Sequence, residues 1–188
     1  MEIIISLLLF SIGILIYSQP AHDNDWGSAP YTDETIAGEV AAVIAALPLV
    51  GLFVARERAA RPALVASALT FLLVQCIKVA FGVPRPDYEA RLETGNPDII
   101  QDGLKSFPSG HVAMVSCSMA ALTLVAAMRL PAGPLYMLLS ITPQVVVIFI
   151  AATRVWDHRH YVIDVAAGYA MGACLCMLCF NWASALRE

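Results

Sequence analysis

Apolar residues fall in long runs along this chain, and polar residues gather in the connections between them. A helix that crosses a bilayer needs about 20 predominantly apolar residues. Six runs approach that length: Ile3–Tyr17, Ile36–Val54, Ala63–Phe81, His111–Leu130, Pro134–Thr153 and Tyr161–Ala183. The pattern therefore predicts an all-α, integral-membrane bundle of six transmembrane helices, folded as one membrane-embedded domain over residues 1–188. The first run is short for a span and resembles a signal peptide in length. It begins with Glu2 and no Lys or Arg, however, and no clear small-x-small cleavage site follows, so it is read as a helix.

Composition strengthens this reading. Of 188 residues, 59% are hydrophobic and 14% charged, against about 45–50% and 25% in ordinary soluble domains. A net charge of −4 excludes the basic footprint of a nucleic-acid binder. The cysteines (Cys76, Cys117, Cys174, Cys176 and Cys179) all lie inside apolar runs. They read as small hydrophobes in helices, with acylation of the last three as the alternative. Neither a zinc-site spacing nor a disulfide framework is present.

Charge also orients the spans. Six crossings place both termini on one side, with Arg56, Arg58, Arg61, Arg129 and Arg187. The positive-inside rule puts that side in the cytoplasm. The opposite face then carries connections 18–35, 82–110 and 154–160. Only the middle one is long, and long connections tend to be functional or disordered.

Three polar clusters border that face. Lys78 stands inside an apolar run, where an ammonium is expensive unless it meets a polar cavity or snorkels. Arg85-Pro86 follows after Gly82 and Pro84 break the helix. Alone, these two cations read more readily as an interfacial anchor. In Ser106-Phe-Pro-Ser109-Gly110-His111, Ser109 is an N-cap candidate and Gly110 permits close backbone approach. A helix N-terminus there would favour phosphate, with His111 in its first turn; a cap beside an incidental histidine is the alternative. In Arg154-Val-Trp-Asp-His-Arg-His160-Tyr-Val-Ile-Asp164, the spacing of His160 and Asp164 (i, i+4) predicts a shared helical face. Asp164 would fix one ring nitrogen and leave the other free to attack, although a structural pair closing a helix end fits equally. Arg154 offers a planar fork for two oxygens. Asp87 and Asp157 read as solvated loop charges, and Trp156 and Tyr161 as interfacial anchors. Jointly, three cations, two histidines, a carboxylate and a helix N-terminus on one face suit a phosphate monoester.

The clusters resemble the signature of the type 2 phosphatidic acid phosphatase superfamily: K-x6-R-P, then P-S-G-H, then S-R-x5-H-x3-D. Thr153 replaces the initial Ser of the third motif and keeps its hydroxyl. Pro30-Tyr31, Thr94-Gly-Asn-Pro97 and the run Arg154 to His160 look like the lipid phosphate phosphatase branch, whose six helices support counting the N-terminal run. The resemblance implies a metal-independent lipid phosphate phosphatase without cofactor. His160 would be the nucleophile, Asp164 its orienting partner and His111 the acid and then base. Lys78, Arg85, Ser109, Gly110 and Arg154 would hold the phosphate. The substrate would be a bilayer lipid phosphate such as phosphatidate, met on the non-cytoplasmic face. Two rival readings stand beside it: a polyisoprenyl diphosphate or phosphatidylglycerophosphate phosphatase of the same superfamily, and an anion-binding transporter with cations along its pathway. A transporter has no use for the His160–Asp164 pairing.

Overall fold

In a computed structural model, the structure describes residues 36–54 and 58–186, and all regular structure there is helical. In chain order the helices are α1 (Ile36–Val54), α2 (Ala60–Phe81), α3 (Tyr88–Glu93), α4 (Pro97–Asp102), α5 (Gly110–Arg129), α6 (Pro134–Trp156) and α7 (Val162–Ala185). Four of them, α2, α5, α6 and α7, are long and apolar enough to cross a membrane. The apolar part of α1, Ala41–Phe53, is shorter, and the expected span at Ile3–Tyr17 lies outside the described residues. The chain is thus a multi-pass helical bundle, with four spans supported by length and composition.

Many large apolar side chains of the bundle face outward. Val79 is 82% exposed and Phe149 64%, whereas the interior combines small residues such as Ala63, Ala66, Ala113, Cys117 and Ala121 with Val112, Val115, Val147 and Ile150. Lipid tails are as apolar as leucine, so large side chains gain nothing by leaving them, and helices associate where small residues allow close approach. Helix α5 occupies the centre, packed against α1, α2, α6 and α7. It meets α7 most closely at Gly168 and Gly172. A Cβ at Gly168 would stand 2.5 Å from the Ser109 carbonyl oxygen, and one at Gly172 would stand 2.9 Å from the Cys117 amide nitrogen.

Six helix boundaries differ from the sequence expectation, among them the start of α5 at Gly110 and the end of α7 at Ala185. Helix α2 begins at Ala60 rather than Ala63, and α5 ends at Arg129. Helix α6 runs on to Trp156, which carries Arg154 on its last turn. Helix α7 starts at Val162, leaving His160 before it. The long connection 82–110 is also ordered: Gly82 ends α2 in the left-handed region (φ 55°), its amide reaching Lys78 O at 3.1 Å. Two short helices follow, and the connection's ends are tied together by Arg85 N to Gly103 O (2.8 Å) and Ser106 N to Val83 O (2.9 Å).

Candidate active site

Four helix ends converge on one end of the bundle: the C-termini of α2 and α6 and the N-termini of α5 and α7. Arginines Arg58 and Arg129 line a separate hollow at the opposite end. At the first end a cavity of about 390 Å³ is lined by Lys78, Arg85, Gly110, His111, Arg154 and His160. Six of the eight expected site residues thus share one cavity. The other two, Ser109 and Asp164, are buried beside it, at 0% and 1% exposure.

Each cation is held by its surroundings. Lys78 Nζ donates to the Lys105 carbonyl at 2.6 Å, so the ammonium turns towards the connection and away from lipid. Arg85 pairs with Asp102 at 3.2 Å. Burial pulls its guanidinium below the ordinary value, and the Asp102 charge opposes that shift. Arg154, 4% exposed, donates to Asp157 at 2.9 Å. Ser109 does occupy the N-cap position of α5, but its hydroxyl makes no capping bond. Its Oγ is buried with no hydrogen-bond partner, and its amide donates to Asp164 O at 3.0 Å. Gly110 is not demanded by protein packing: an added Cβ would meet only Val74 and Lys78, at ordinary contact distances.

His160 and Asp164 meet, though not on one helical face. His160 precedes the N-cap Tyr161, and its amide donates to Arg154 O at 3.2 Å. Asp164 lies in the first turn of α7, and its Oδ2 accepts from the Tyr161 amide at 2.8 Å. The carboxylate therefore folds back to the helix mouth and stands 3.6 Å from His160 Nδ1. This leaves Nε2 as the ring nitrogen not committed to Asp164. Burial lowers the His160 pKa to about 4, with Arg85 and Lys78 pushing the same way and Asp164 opposing them. The imidazole is accordingly neutral near neutral pH, the form a nucleophile requires.

The structure also brings in residues that sequence reasoning passed over. Asp87 is 1% exposed, not a solvated charge: it pairs with Arg91 at 2.9 Å and Arg159 at 3.5 Å. Arg91 also reaches Asp102 at 3.2 Å, which links Arg159, Asp87, Arg91, Asp102 and Arg85 in one network. A carboxylate so placed offsets the desolvation of its arginines. Lys105 and Arg159 line the cavity with the expected cations. Ser106 lies fully buried against Asp164. The signal for these partners was weak, because charges in a loop do not disclose which neighbours they meet across it.

Comparisons with known proteins place most of the chain in one family. Residues 59–188 match the PAP2 superfamily. A PA-phosphatase related-family protein of Dictyostelium discoideum is 32% identical over 113 residues, covering 57% of this chain and 42% of that protein. Lipid phosphate phosphatase 2 of Arabidopsis thaliana is 29% identical over 133 residues (60% and 46%). A probable diacylglycerol pyrophosphate phosphatase 1 of Schizosaccharomyces pombe is 29% identical over 124 residues (54% and 44%). Each match spans less than half of the relative's length. No solved structure matches the chain. With all three motif clusters gathered at one end of the bundle and the matched region spanning most of the chain, the protein belongs to the PAP2 superfamily of phosphatases.

Proposed function

We propose that this protein hydrolyses the phosphate of membrane lipids such as phosphatidate, through a phosphohistidine on His160 and without a metal ion. The observation that carries the reading is the buried His160, with Nδ1 3.6 Å from Asp164 and its ring in a cavity with five cationic side chains (Lys78, Arg85, Lys105, Arg154 and Arg159). In the first step His160 Nε2 bonds to phosphorus as the bond to the ester oxygen breaks. His111 gives its proton to the departing alkoxide. Water then attacks the phosphorus, His111 takes its proton, and the P–N bond breaks to release inorganic phosphate. The cations, with Ser109 Oγ and the first amides of α5, would hold the non-bridging oxygens as charge redistributes.

A lipid substrate is supported by the rest of the cavity wall. Below the cations it is formed by Ala41, Ala42 and Ala45 of α1, Phe71, Val74 and Gln75 of α2, and Met114. Phe71 lines the cavity and is 51% exposed on a helix long and apolar enough to cross a membrane, which supports a cavity open towards the bilayer where acyl chains lie. The clustering of Arg58, Arg61 and Arg129 at the other end supports a site on the non-cytoplasmic face. Lys105 and Arg159, additional to the motif cations, favour diphosphate lipids as a second substrate class, in keeping with the name of the Schizosaccharomyces pombe relative.

The test is phosphate release in mixed micelles with excess EDTA, from phosphatidate, lysophosphatidate, diacylglycerol pyrophosphate, a polyisoprenyl diphosphate and phosphatidylglycerophosphate. Turnover of at least one lipid monophosphate without metal is expected. Inactivity on the whole panel returns the cavity to a transporter's anion pathway, and activity on diphosphates alone moves the substrate to that class.

A further inference from the structure

Asp164 is held by more than its histidine. Ser106 Oγ donates to Asp164 Oδ2 at 2.5 Å, between two side chains that are 0% and 1% exposed. The same Oδ2 accepts the Tyr161 amide and faces His160 Nδ1. Ser106 is itself fixed by its backbone, since its amide donates to Val83 O, two residues before Arg85. The hydroxyl thus joins the connection that follows α2 to the carboxylate in the first turn of α7, and it reaches no part of the cavity wall.

We infer that Ser106 is a positioning residue for the nucleophile: its hydroxyl fixes the Asp164 carboxylate and withdraws part of its charge from His160. This rests on His160 being the nucleophile. A carboxylate oxygen that accepts two hydrogen bonds before meeting the imidazole is a weaker base towards it. Without Ser106 the Tyr161 amide alone holds Oδ2, and the carboxylate is free to turn about its Cβ–Cγ bond. Its charge would also fall more fully on Nδ1 and favour protonated, unreactive His160. The other charged and titratable groups around the pair are Lys78 of α2, His111 of α5, Arg154 of α6, and Arg85, Arg159 and Tyr161 from the connections. The substitution leaves all of them in place.

The experiment measures pH profiles of kcat and KM for wild type, Ser106→Ala, Ser106→Cys and His160→Ala on a lipid monophosphate in excess EDTA, with the melting temperature of each variant. Cysteine fills nearly the same space but is a weak donor. Both Ser106 variants are expected to lose about tenfold or more in kcat, the worth of a hydrogen bond to a charged group, with little change in KM, the pattern of a group acting only on the chemical step. The acid limb should move to higher pH in both, with Ser106→Cys melting close to wild type. Unchanged kcat and acid limb in Ser106→Cys overturns the inference, and so does a loss that follows melting temperature alone. Activity that survives His160→Ala overturns it together with the nucleophile. A silent Ser106→Cys beside a dead His160→Ala overturns this inference only.

Discussion

Replacing Gly168 by alanine tests whether the α5–α7 contact sets the geometry of the site. The new Cβ would lie 2.5 Å from Ser109 O, 3.3 Å from Ala113 N and 3.5 Å from Ser109 C. All three are backbone atoms, so no side chain can swing aside. Ordinary contact begins at 3.4 Å, so the start of α5 must retreat from α7 by about 0.9 Å. That start carries Ser109, Gly110 and His111, while α7 carries Asp164, whose carbonyl accepts the Ser109 amide at 3.0 Å. Overpacking of this kind costs about 1–3 kcal/mol, and misplacing catalytic groups by about 1 Å costs about 100-fold in rate. Gly168→Ala should therefore lower kcat for phosphate release by about 100-fold, and its melting temperature in detergent should fall. Gly51→Ala is the control: an added Cβ there meets nothing within 4 Å, and in a helix alanine is favoured over glycine by about 1 kcal/mol. Full activity and an unchanged melting temperature in Gly168→Ala would refute the claim that this contact sets the site.

Further predictions concern charge and topology. Because the folded pKa of His160 is depressed to about 4, the unfolded chain binds a proton between about pH 6.5 and pH 4 that the folded chain does not. Stability is thus fully present above that window and falls through it as pH drops; from pH 7 to pH 5 the loss from this group is about 2 kcal/mol. Denaturant unfolding should show His160→Asn losing less stability over that range than wild type, and parallel curves for the two would contradict the assignment. Asp87→Ala removes the buried carboxylate between Arg91 and Arg159 and should cost about 3–5 kcal/mol; denaturation showing less than about 1 kcal/mol would place those charges in water. In sealed cells, on a background lacking the native cysteines, Asp98→Cys should react with an impermeant maleimide and Arg58→Cys should not. The opposite pattern would put the site on the cytoplasmic face.

The grouping of the site residues was legible in the sequence further than their packing. Lys78, His111, Arg154 and His160 sit at motif spacings that mark helix ends, and the bundle does carry them to one cavity. The spacing of His160 and Asp164 pointed to their pairing by the wrong local geometry. They meet because the Asp164 carboxylate turns back onto the Tyr161 amide, which a four-residue spacing does not distinguish from a shared helical face. Ser109 was placed correctly as an N-cap, but its hydroxyl does not cap. The buried roles of Asp87, Arg159 and Ser106 depend on partners across a connection of irregular shape, where no periodicity indicates contact. Gly168 and Gly172, four apart in an apolar run, are a small-xxx-small signal of close helix packing present in the sequence from the start.

The covalent step on His160 is what distinguishes the proposed chemistry from its rivals. Wild type and His160→Ala would be given radiolabelled phosphatidate in excess EDTA and quenched in alkali, which preserves a phosphorus–nitrogen bond, before phosphate release and protein-bound label are measured. Wild type should turn over and carry label on His160, and the variant should do neither. Turnover that persists in His160→Ala, or label on another side chain, would contradict that step.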